Sequence, residues 1–86
     1  QSLNPSAQIM RKTYIEAAEY FGYAGKNKLA YEANQKAMTF TSQIADARPF
    51  DFGKIESNLG AYAQRLGDLA LSQQHHRRAL KYYLSE

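Results

Sequence analysis

Cysteine is absent from this 86-residue chain. Disulfide staples, thiolate metal sites and cysteine nucleophiles are excluded with it. No compartment follows from this, because an oxidising setting does not require cysteine. Valine is absent too, and no alternating β-branched run stands in for it, so strand signals are poor. Apolar runs are short. Leu69-Ala70-Leu71 is as long as any, which leaves no stretch able to span a bilayer. The opening residues do not read as a secretory signal. Charge of one sign is also scarce: net charge is +3, from eleven Lys and Arg against eight Asp and Glu. Most basic residues have an acid within a few positions, which describes a mixed solvated surface rather than a phosphate-binding stripe.

What remains is helical. A 44% hydrophobic and 22% charged chain suits a small globular domain. At this length, folding hides only about 60–65% of the open chain's surface. Two prolines and five glycines punctuate four blocks of helical periodicity. The first is expected over about 6–23, with Asn4 as cap, Pro5 in the first turn and Gly25 past the end. Its apolar stripe reads Ile9, Thr13, Ala17, Tyr20, Phe21. The second is expected over about 28–47, capped by Asn27 and stopped by Pro49, with the stripe Leu29, Ala33, Ala37, Phe40, Ile44. The third, about 54–66, follows a cap at Asp51 and carries Ile55, Leu59, Tyr62, Ala63 and Leu66. Gly67 ends it. Asp68 caps the fourth, about 69–83, whose stripe is Leu69, Ser72, His76, Ala79, Leu80 and Tyr83. Links of two to three residues at Gly25–Asn27 and Gly67–Asp68 force each pair of helices antiparallel, giving two helical hairpins.

The two hairpins can be superposed. Gly25 and Gly67 stand 42 residues apart, and the same offset lays Ala18 on Gly60, Phe21 on Ala63, Ala30 on Ser72 and Ala37 on Ala79. Small residues at matched places are what close helix crossings need. With Asn58-Leu59-Gly60, Gly67-Asp68 and Ala79-Leu80, the pattern resembles the tetratricopeptide repeat. The resemblance covers about Tyr14 to Tyr83. It implies an all-α fold of four helices, two antiparallel hairpins stacked as a tetratricopeptide-like superhelix. The divisions would be a first repeat over about 6–47, a linker over 48–53 and a second repeat over about 54–84. Departures are present: Ala63, Asn34 and His76 occupy places the family usually gives to aromatics, Ser72 replaces its small residue in the fourth helix, and neither repeat closes with proline. The spacing also exceeds the usual repeat of about 34 residues and is similar to the longer kinesin light chain-type repeats. Because repeat arrays usually need three or more units, and the chain opens at Gln1 without Met, a piece of a longer array is expected.

In such repeats the first helices line a concave groove for an extended peptide or a partner helix. The resemblance places Asn58 there, with Lys54, Ala61, Tyr62 and Arg65 at helical spacing on the same face. The first repeat would contribute Lys12, Glu16, Glu19 and Tyr23. An ordinary solvated helix face is the plainer account of each residue singly; as a set they suit a repeat, which exposes this face by construction.

His75 and His76 diverge by about 100° on a helix and cannot chelate one metal from one face. No acid lies within a helical turn of either, so no metal site is expected. His76 is expected to pack in the stripe beside a hydroxyl partner, and His75 to be exposed. Arg77, Arg78 and Lys81 with Tyr82-Tyr83 could contact nucleic acid, but no recognition motif accompanies them. No nucleophile elbow, phosphate loop or paired carboxylates occur either. The expectation is therefore a non-enzymatic protein-interaction module that needs no cofactor and takes a protein or peptide rather than a small-molecule substrate. It would self-associate through its end helices or lack flanking repeats. A small regulator acting by homodimerisation is the second reading, and a helical nucleic-acid binder the third.

Overall fold

A computed structural model describes residues 5–86. It is all-helical: α1 (Pro5–Tyr23), α2 (Asn27–Thr41), α3 (Pro49–Arg65) and α4 (Leu69–Leu84). Asn4, the expected first cap, lies outside the described residues. Gly25 and Gly67 end the first helix of each hairpin with φ of 75° and 89°, a backbone region that side chains with a Cβ rarely occupy. Asp68 caps α4 through a carboxylate oxygen that accepts from the Leu71 N–H at 3.0 Å. Asn27 does not cap α2. It is the first helical residue, and Lys26 before it offers no side-chain bond.

Around Pro49 the boundaries shift from those expected. α2 ends at Thr41, six residues early, and α3 begins at Pro49, five residues early. At the end of α2, Thr41 donates to the Ala37 carbonyl at 2.7 Å and Ser42 to the Thr39 carbonyl at 2.6 Å. The Gln43 and Ile44 amides then settle for carbonyls only three residues back. Pro49 is not a stop signal but the first residue of α3, where its missing N–H costs nothing. Asp51 sits in the first turn and accepts from the Arg48 N–H at 3.0 Å. Glu86 completes this helix start. It accepts from the Phe50 N–H at 3.0 Å and from the Arg48 guanidinium at 2.6 Å. Those contacts hold its carboxyl below the ordinary range, the Arg48 hydrogen bond being the first cause and the Phe50 amide the second.

Extensive packing among the described residues joins chain neighbours only: α1 on α2, α2 on α3, α3 on α4. The result measures 41 × 29 × 14 Å, a slab rather than a ball. Ala37, Ile55 and Leu59 form its centre, with Tyr14, Ile15, Tyr31 and Met38 packed around them. Tyr14 also stacks on Phe40 at 5.8 Å between ring centres.

Small residues dominate the interior. Ala7, Ala18, Ala30, Ala33, Ala37, Ala63 and Ala79 are buried, and so are Gly60 and Ser72. Apart from the exposed turn glycines Gly25 and Gly67, the small residues paired by the 42-residue offset are inside: Ala18 with Gly60, Ala30 with Ser72 and Ala37 with Ala79. The expected stripes fare unevenly. Ile55, Leu59 and Ala63 are buried as expected, whereas Ile9, Tyr20, Leu66, Leu69 and Leu80 are exposed. In α1 the buried side runs through Ala7 and Ala18, with Tyr14 and Phe21 half-buried beside them. Helices that approach this closely put alanine between their axes and leave longer side chains on the outer faces.

Candidate functional site

Two long side chains bridge α1 and α3. Arg11 pairs with Asp51 at 3.5 Å, and the Tyr62 hydroxyl lies 3.4 Å from the Ala18 carbonyl, to which it donates. Beside this bridge, Glu19, Gly22 and Tyr23 of α1 and Tyr62 and Arg65 of α3 line one cleft of about 170 Å³. The Arg65 guanidinium sits 5.1 Å from the centre of the Tyr62 ring, held there by cation–π attraction. A Cβ at Gly22 would collide with the Tyr62 hydroxyl, so glycine is what lets the phenol lie across α1.

The cleft opens beside a longer depression along α1, about 750 Å³, lined by Gln8, Arg11, Lys12, Ile15, Glu16 and Glu19 among others. Six of the eight expected groove residues thus gather in two adjoining hollows that share Glu19. Lys12 and Glu16 stand in the α1 depression, and Tyr23, Tyr62 and Arg65 in the cleft. The other two stand apart. Lys54 lies over the Phe50 ring at 5.5 Å, and Asn58 is exposed on α3. Gln8 and Arg11 were not expected in this surface. Gln8 lies one helical turn before Lys12, and that spacing was the available signal.

A second cluster is buried. His75 is only 6% exposed. Its Nδ1 lies 2.7 Å from Oε1 of buried Glu56, and its Nε2 lies 2.7 Å from the Tyr31 hydroxyl. With Nδ1–H donating to the carboxylate, the neutral ring accepts the Tyr31 O–H at Nε2, so both nitrogens are occupied. Arg78 adds a cation 3.8 Å from the same carboxylate oxygen. One imidazole therefore ties α4 to α2 and α3.

This reverses the expected roles of the two histidines. His76 is exposed, with its ring over Gly60, where a Cβ would meet Nε2 at 2.7 Å. The hydroxyl partner belongs to His75. Glu56 stands 19 residues away on another helix, so looking within one helical turn could not find it. Among the described residues, no group of three His, Cys, Asp or Glu side chains converges to hold a metal ion. Nor is any helix among them long and apolar enough to cross a membrane.

The Tyr31 phenol is held above the ordinary tyrosine range, first by burial and then by the Glu56 carboxylate. Its raised folded value favours the neutral phenol. The stabilisation is present in full below the unfolded tyrosine pKa of about 10 and is lost as pH rises through the folded value. The difference in phenolate absorbance between the native chain and Tyr31→Phe should place the Tyr31 step above the ordinary tyrosine range, with stability falling over that alkaline window. Replacing Glu56 with Gln should move that late step earlier.

The basic turn on α4 is partly engaged. Arg78 faces Glu56, Tyr82 stacks on Phe52 at 5.4 Å and Tyr83 lies 5.7 Å from Phe50. The two rings that could have formed a base-stacking platform pack on α3 instead. Compared with protein families, with curated proteins and with solved structures, the chain finds no match.

Proposed function

We propose that this chain is a non-enzymatic interaction module of tetratricopeptide-like hairpins. It would take an extended peptide or a partner helix along the face shared by α1 and α3. The observation that carries this reading is the cleft built by both hairpins, with Glu19 and Tyr23 from one and Tyr62 and Arg65 from the other. A peptide laid there meets an acid, a base and two phenols. Lys12 and Glu16 continue the polar surface along α1. These side chains stand on helices, not loops, so little ordering entropy is lost on binding. The matched burial of small residues 42 positions apart supports the repeat.

The test is a peptide array bound first by the native chain and then by Tyr23→Ala and Arg65→Ala, two residues that line the cleft. Each variant is expected to lose about tenfold in affinity, roughly 1.4 kcal/mol. Each should also melt within about 0.5 kcal/mol of the parent, since both residues are exposed. Unchanged binding in both variants would remove this face from the function. A large drop in stability would make the substituted residue a structural one.

A further inference from the structure

The α2–α3 junction has a counterpart at each outer side of the slab. Within the chain, Tyr31, Ala37 and Met38 of α2 pack around Ile55 and Leu59 of α3. The 42-residue offset carries Tyr31 and Met38 forward to Gln73 and Leu80 on α4. The same offset carries Ile55 and Leu59 back to Thr13 and Ala17 on α1, with Tyr20 one turn on along the same face. The inner members are buried or half-buried, but the outer ones are largely open. Leu80 is 57% exposed and Tyr20 is 68% exposed. Neither outer set contains a formal charge, although charged residues flank both. One chain thus presents, at its two outer sides, the positions of a junction formed once inside itself, with Leu80 and Tyr20 as the large side chains and Thr13 and Ala17 as the small ones.

We infer that copies of this chain associate head to tail, with the Thr13–Ala17–Tyr20 face of α1 seated on the Gln73–Leu80 face of a second copy's α4. The contact repeats the internal α2–α3 packing and continues the same stack. Small Thr13 and Ala17 leave a shallow valley, and Leu80 is the ridge that fills it. The two faces are different surfaces, so the interface is heterologous and the association is open-ended unless rotation closes a ring. The inference rests on the repeat and does not depend on what occupies the α1–α3 cleft.

Sedimentation velocity over a wide concentration range tests it. The native chain should rise past two copies without a plateau. Leu80→Glu and Tyr20→Glu each spoil one face and should be monomeric alone. Mixed in equal amounts, they retain one intact face apiece and should form a one-to-one pair, doubling the mass and going no further. Circular dichroism checks that each variant keeps its helix content. If either loses helix, Leu84→Glu and Ile9→Glu repeat the experiment on the same two faces. A native chain that stays monomeric, or that stops at a dimer, would overturn the inference. So would either variant pairing with itself, or a mixture that stays monomeric.

Discussion

Replacing His75 with alanine is expected to cost about 3 kcal/mol, the scale for leaving a buried charged acceptor without its hydrogen-bond donor. The imidazole makes two 2.7 Å contacts, to Glu56 and to Tyr31. Without it, a buried carboxylate faces a hole, with only half-exposed Arg78 nearby at 3.8 Å. A chain of this length holds roughly 5–10 kcal/mol in all, so thermal unfolding should show a large downward shift. The cause can be separated from simple loss of volume. Replacing His75 and Glu56 with leucine and Tyr31 with phenylalanine removes all three polar partners and refills the space, and should recover most of the loss. If the triple variant instead loses the sum of the single losses, the hydrogen-bonded cluster is not the source of the stabilisation.

Leu59→Ala should cost a similar amount, about 3 kcal/mol, for a different reason. Leu59 is buried where Ala37 and Ile55 meet, beside Tyr14, Ile15, Tyr31 and Met38. Three helices share that contact, and of its neighbours only Met38 has an unbranched, flexible side chain that could reach into a void. The rings and the β-branched residues are held by their own packing, so most of the cavity term should persist. Urea unfolding is the measurement. A loss under about 1 kcal/mol would mean that the helices slide together to fill the gap. Leu80→Ala, at an exposed leucine, is the control and should move the midpoint far less in dilute solution.

The four helices, the two turn glycines and the Asp68 cap were legible because each depends on a local property: periodicity, positive φ, or one carboxylate beside a free N–H. The α2–α3 boundary was less legible. Pro49 can end a helix or begin one, and here α2 has already closed eight residues earlier, where the Gln43 and Ile44 amides turn to carbonyls three residues back. Helix faces were misread where size misled. Counting large apolar residues pointed α1 toward Ile9 and Tyr20, while the slab buries Ala7 and Ala18. The histidines were exchanged because Glu56 and Tyr31 reach position 75 from other helices, and no spacing within α4 reports them. Of the candidate surface, helical spacing put Glu19 and Tyr23 on one first helix and Tyr62 and Arg65 on the other, and the structure brings these four to one cleft. Gln8, one turn before Lys12, and Arg11 beside it precede the span of the matched motif.

Because each helix leans mainly on the one before it, few contacts require distant parts of the chain to find each other. Low contact order of this kind goes with rapid assembly. Either hairpin can serve as the starting point, with the other adding to its flank rather than waiting for a global collapse.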